Sequence, residues 1–323
     1  MNEQTLAVLA SILLQASPLI IAVCGETLSE RVGVINLSLD GSMLLSAMSG
    51  FVAAYLSGSL LLGFLAAALV SAFFALIIAF GSIQLRQNQV AIGFVLTLLG
   101  ANLSAFLGQN YTRLPGPSVA KMPIPVLKDI PIIGPIIFNQ DPVVYFALLL
   151  VAATSWWLFR SQPGLRLRAV GERPEAAFAR GIPTTRLRYL YSLIGGGLVG
   201  VAGASYSLDV KIGWSDGHTL GLGWIALAIV IFGGWSPLRG AFGALLFGAT
   251  KTLATMLQRA YPEVSAVAFN ALPWLLMIAV LLAVSGKFSE SIASRLPPRW
   301  QRPVRRWLSV APPAALGQEF YER

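Results

Sequence analysis

Charge is what this sequence has least of. Asp and Glu total 14 and Lys and Arg 23 in 323 residues, and the four types together make only 11%. A soluble domain carries about 25% charged residues, so this chain cannot coat a water-facing surface. That scarcity excludes a cytosolic enzyme, a disordered protein and a free nucleic-acid binder. One cysteine, Cys24, allows no internal disulfide. One histidine, far from that cysteine, argues against a structural zinc site. No G-x-x-x-x-G-K-[ST] run is present to bind ATP in a P-loop, and no H-E-x-x-H is present to hold a catalytic metal. Gly221-Leu222-Gly223-Trp224-Ile225-Ala226 fits a dinucleotide fingerprint in letters only, because it lies in an apolar run with no strand before it. Neither a cofactor nor a metal is expected.

What is present is hydrophobic surface: 56% of the residues are hydrophobic, and the mean hydropathy is +0.71. A helix needs about 20 apolar residues to cross a bilayer core. Uncharged runs of 22 residues lie between Glu3 and Glu26, 45 between Asp40 and Arg86, and 26 between Arg86 and Arg113. Further runs hold 18 residues before Arg160, 20 between Arg188 and Asp209, 20 between His218 and Arg239, and 23 between Glu263 and Lys287. The 45-residue run is long enough for two spans that turn near Gly58-Ser59. Residues 240–258 are apolar apart from Lys251, which is read as snorkelling. The fold class that follows is all-α, a polytopic membrane bundle of about nine spans, between eight and ten. The first run has no basic n-region and is read as a retained span rather than a signal peptide.

The net charge of +9 is not spread evenly, since 160–188 and 287–323 hold 14 of the 23 basic residues. Such clusters mark cytoplasmic loops, and the four spans between them agree with one side for both. Counting back places the N-terminus outside, although a half-helix hidden in 26–40 would change that parity. The division expected is a membrane domain over 1–286, with a cytoplasmic loop at 161–185 and an external proline-rich loop at 110–141, then a basic cytoplasmic tail over 287–323. Prolines 115, 117, 123, 125, 131 and 135 favour extended, turn-rich backbone in the external loop. That loop is either a connector or a lid. Gly196, Gly200 and Ala204, at four-residue spacing, let backbones approach closely in lipid.

Inside the loop 161–185, Arg173 precedes a short helix. Pro174 suits its first turn, Glu175 meets its positive end, Ala176 and Ala177 build it, and Gly181 ends it. Elsewhere Asn36, Asp40, Asn88, Gln89 and Asn102 are polar groups beside or within apolar spans. They must face other protein or a cavity, so they either bond neighbouring helices or line a path. Amides both donate and accept, which suits a neutral polyhydroxyl solute.

Four stretches also carry a resemblance. Glu175-Ala176-Ala177 followed by Gly181 looks like the EAA-x-x-x-G loop of permease subunits of ABC importers. Residues 30–41, ERVGVINLSLDG, are similar to E-R-x-G-V-x-N-(L/I)-x-x-E-G; Asn88–Gly93 and the run Gly221–Pro237 ending IVIFGGWSP match as well. Together they resemble the branched-chain amino acid, sugar and nucleoside permease superfamily, closest to its nucleoside and simple-sugar branch, over about 18–286. Asp40 stands where Glu is usual, and His218 where Met or Thr is frequent. The resemblance implies a non-enzymatic subunit of a bacterial inner-membrane importer. Its loop would be a coupling helix docked on separate ABC ATPase subunits. A second permease, identical or homologous, an extracytoplasmic substrate-binding protein and the lipid bilayer complete the implied partners; nucleic acid is not among them. A branched-chain amino acid permease is the alternative. A stand-alone secondary transporter would want intramembrane carboxylates, which 41–85 and 87–112 lack.

Overall fold

A computed structural model of the chain describes residues 3–219, 221–284, 297, 301 and 311–318. Twelve α-helices run in chain order among them: α1 Glu3–Arg31, α2 Leu39–Ser57, α3 Leu60–Ile83, α4 Gln89–Gly108, α5 Pro142–Arg160, α6 Gln162–Glu172, α7 Pro174–Ala179, α8 Thr184–Ser205, α9 Leu222–Phe232, α10 Pro237–Ala260, α11 Ala266–Asn270 and α12 Leu272–Val284. Eight spans are long and apolar enough to cross a membrane, with α11 and α12 counting as one and α9 as a ninth, shorter helix. The basic tail expected over 287–323 falls outside the described residues apart from Pro297, Gln301 and 311–318.

Local chemistry sets the boundaries. Gly58, left-handed at φ 66°, ends α2, and the Ser59 hydroxyl then accepts from Leu62 N to start α3. Asn88 opens α4 by accepting from Val90 N and Ala91 N. Asp141 opens α5 in the same way, accepting from Val144 N. The first span does not stop at Glu26. It continues through Glu26 and Glu30, both buried, to Arg31.

α1 and α8 form the centre, where residues Ala16–Glu30 of α1 are all buried. The small-residue stripe of α8 lets its neighbours in. A Cβ on Gly200 would stand 2.2 Å from the Ala67 carbonyl of α3, and one on Gly195 2.5 Å from the Gly25 carbonyl of α1. That is packing at backbone distance, the usual device where lipid supplies no hydrophobic drive between helices.

Two chain segments are irregular at depth. Residues 32–38 turn back along α1, so that the Asn36 backbone N–H donates to Glu26 Oε1 at 3.2 Å and Thr97 Oγ1 donates to the Leu37 carbonyl at 2.8 Å. Between α8 and α9 a wide helical turn, Tyr206–Val210, is followed by irregular chain over 211–219. With 11 residues, α9 rises about 16 Å, roughly half of a bilayer core of about 30 Å. Its C-terminal end is fixed near the end of α1, where Arg31 donates to the carbonyls of Trp235 at 2.9 Å and Gly234 at 3.2 Å. Its N-terminus therefore lies at membrane depth.

Candidate functional site

At one end of the bundle α6 and α7 form a projecting elbow. Ser161 caps α6, accepting from Gly164 N at 3.0 Å. The first helix of the elbow, α6, was not foreseen from sequence; its three charged residues, Arg166, Arg168 and Glu172, mask a short amphipathic run. Arg173 sits between the two helices at φ −147°, and Pro174 occupies the first turn of α7. Gly181, at φ 76°, lets Ile182 N reach the Ala177 carbonyl at 3.1 Å, the left-handed closure that favours glycine. Pro174 and Ala177 face inward, while Glu175, Ala176 and Phe178 are exposed. The elbow is not loose. Arg31 of α1 pairs with Glu172 at 3.9 Å, and the described tail residues strap over it: Ala315 N donates to the Gly171 carbonyl at 2.9 Å and Gly317 N to the Gly33 carbonyl at 3.1 Å.

Beside it, three of the sequence stretches meet. The Trp235 indole N–H donates to Glu30, so the two ends of the α1 turn and the α9–α10 turn are locked. Gln89 Oε1 accepts from Ile35 N at 2.8 Å. Asn36 Oδ1 accepts from Ser38 N at 3.2 Å and Ser38 Oγ at 2.7 Å. Asp40 Oδ1 accepts from Gly221 N at 2.8 Å and Gly223 N at 3.0 Å, capping the buried N-terminus of α9 with a negative group. Asn36, Asp40 and Gln89 thus share one junction. Asn88 and Asn102 do not join it. Both are exposed on α4; Asn88 caps its own helix, and Asn102 Nδ2 donates to the Leu98 carbonyl one turn back at 2.8 Å.

The opposite half holds a cavity of about 570 Å³ that sequence reading passed over. Its wall includes Gln15, Tyr206, His218, Lys251 and Trp274. Lys251 does not snorkel. Its Nζ donates to the Tyr206 hydroxyl at 2.5 Å and lies 4.3 Å from that ring's centroid. Lys251 lies nine residues from the C-terminal end of α10 at Ala260, farther than a lysine stem reaches. A lone cation in an apolar run, with the one histidine in the loop before α9, was the available signal. The proline-rich loop closes over this end: Arg113 N donates to the Trp214 carbonyl and Val119 N to the Leu208 carbonyl, both at 2.9 Å.

A family profile described as branched-chain amino acid transport system / permease component matches residues 8–283. The putative glucose ABC transporter permease protein TsgC13 of Haloferax volcanii is 40% identical over 74% of each chain. The nucleoside ABC transporter permease protein NupC of Lactococcus lactis is 33% identical over 87% of this chain and 92% of its own. The guanosine ABC transporter permease protein NupQ of Bacillus subtilis is 32% identical, covering 88% and 94%. No solved structure matches the chain. With eight membrane-length spans and a profile match over most of its length, the chain is a multi-pass membrane protein and belongs to the family of permease components of branched-chain amino acid transport systems.

Proposed function

We propose that the chain forms one half of the membrane pathway of an ATP-driven importer for a nucleoside or simple sugar. The observation that carries this is the exposed α7 knob, which follows directly on α6, the helix joined to α1 by the Arg31–Glu172 pair. A partner pushing on Glu175, Ala176 or Phe178 moves α6, and the Arg31–Glu172 pair transmits that motion to α1. Arg31 also holds the α9–α10 turn, so α9 follows.

The elbow, residues Arg173 to Gly181, would be the docking site of an ABC ATPase subunit, where ATP is hydrolysed. The elbow and the tail face the cytoplasm in this reading, and the proline-rich loop faces an external binding protein that delivers solute. The membrane is the bacterial cell membrane. A second permease, identical or homologous, would complete the pathway, with Asn36, Asp40 and Gln89 bracing the broken helices beside it and Asn102 exposed on α4. The nucleoside and sugar relatives, aligned over most of their length, support the solute class.

The test is the complex purified with its ATPase and reconstituted in lipid vesicles with the binding protein. Uptake of adenosine, guanosine, uridine or ribose should depend on ATP. Uptake of leucine with none of these would move the chain to the amino acid branch. Glu175→Arg, which reverses a charge at the first turn of α7, should lower ATPase recovery or solute-stimulated hydrolysis several-fold. A complex unchanged in both would remove the elbow from the coupling role.

A further inference from the structure

The cavity beneath the proline-rich loop carries a chemistry of its own. Two of its wall atoms are buried polar atoms with no hydrogen-bond partner: His218 Nε2 and Gln15 Oε1. Buried polar groups are nearly always bonded, to protein or to water, and these two open onto the cavity, where water or a solute can meet them. The histidine's polarity follows from its other nitrogen. Nδ1 accepts from Ser215 N at 2.9 Å, so in the neutral ring the proton sits on Nε2 and that atom is a donor. Lys251 adds further N–H donors, of which one goes to Tyr206. Among the described residues, no carboxylate lines this cavity or the smaller one beside it.

The two cavities are neighbours in series. The smaller, about 300 Å³, lies between Arg113–Pro115 of the proline-rich loop and residues 211–215, and it shares Lys211 and His218 with the larger. His218 therefore stands between an outer and an inner chamber. Its ring is braced by Tyr206 at 5.5 Å and Trp214 at 6.4 Å between centroids. The chain around it is unwound at membrane depth, a state tolerated where backbone lines a polar cavity. Gly221, at φ 86°, is required here too: a Cβ would meet the Trp274 ring at 2.2 Å, so glycine is what lets that indole close the floor.

The chamber offers Lys251 and His218 Nε2 as donors, Gln15 Oε1 as an open acceptor and Trp274 as an aromatic wall. A nucleobase fits that set, with ring nitrogens and carbonyls that accept, exocyclic amino groups that donate and a flat face that stacks; a simple sugar has no such face. The volume falls in the range of about 300–1,000 Å³ that encloses small ligands.

We infer that this chamber is a binding site for the solute in transit, in which Lys251 and His218 Nε2 take the acceptor edge of a nucleobase and Trp274 its face, with His218 at the entrance. The inference rests on the nucleoside reading of the importer, and its test separates the two. In reconstituted vesicles holding the whole complex, Lys251→Met should lower adenosine and guanosine uptake at least tenfold. Lys251→Arg should restore part of it. In parallel, Gln258→Cys on the chamber wall, in a Cys24→Ser background, is labelled with maleimide. Saturating nucleoside should slow that labelling several-fold, ribose should not, and Lys251→Met should abolish the protection. Should Lys251→Met fail to assemble, Thr255→Trp, which fills the chamber from the same helix, replaces it. Wild-type vesicles that take up no nucleoside overturn the reading of the importer. Vesicles that take up nucleosides while labelling is unprotected and Lys251→Met is unimpaired leave that reading intact and overturn the site. Protection by ribose alone overturns the nucleobase assignment.

Discussion

Asp40 shows how a single carboxylate can hold a broken helix together. It accepts from two backbone amides of α9, Gly221 and Gly223, which have no partner inside that helix because they open it. The site is buried, with Asp40 2% exposed, so water cannot stand in. Asp40→Ala leaves two buried donors unmet at about 1–3 kcal/mol each. The variant should therefore melt well below wild type in detergent, while Asp40→Asn, which keeps an acceptor oxygen, should fall between. If Asp40→Ala melts with wild type, the cap contributes nothing. The short stem of Asp40 matches the close approach of α2 to α9: a Cβ on Gly223 would stand 2.3 Å from Asp40 N.

At the scale of elements, the small-residue face of α8 can be tested residue by residue. A Cβ on Gly200 would lie 2.2 Å from the Ala67 carbonyl, whereas one on Gly197 would meet only the Ala68 carbonyl, at 3.9 Å. Overpacking a tight core costs about 1–3 kcal/mol, and backbone has less room to yield than a side chain. Gly200→Leu should thus lower the yield of folded protein sharply, while Gly197→Ala should be neutral or gain about 0.4–1 kcal/mol from a stiffer unfolded chain. Equal yields of the two in membranes would show that the stripe is not the packing seam. Elements such as these were legible in sequence because they rest on local chemistry. Gly58-Ser59 turns the chain between α2 and α3, and Pro174 and Gly181 bound α7 as their backbone preferences require. Depth was not legible. The run 219–238 has enough uncharged residues to span, but only 11 of them are helical in α9, and hydropathy does not distinguish an apolar helix from an apolar loop inside the bundle. Likewise Glu26 ends the first uncharged run, yet α1 continues through Glu26 and Glu30 to Arg31, because burial beside the Asn36 turn and Trp235 is a tertiary fact. The chamber went unread for the same reason: Gln15, His218 and Lys251 are distant in sequence and meet only through α1, the unwound loop and α10.

For the whole molecule the two ends are chemically unlike, and this fixes what an orientation experiment must find. The elbow end gathers Arg31, Arg168 and Glu172 with the strap 311–318, where Ala314 N donates to Glu172 Oε2 at 3.2 Å. The other end carries the proline-rich loop, which folds onto the unwound segment beside His218. Basic loops are retained on the cytoplasmic side during insertion, so the elbow and the strap should be inside and the proline-rich loop outside. Cys24 is buried, and its replacement clears the background. Single cysteines at Arg173, Ala314 and Ser118 then report three surfaces on intact cells with an impermeant maleimide. Ser118 should label, and Arg173 and Ala314 should label only after the cells are opened. Because Ala314 contacts Glu172, those two sites must change together whatever the orientation. Labelling of one without the other on intact cells would contradict the fold itself, and labelling of both with Ser118 silent would contradict only the direction of import.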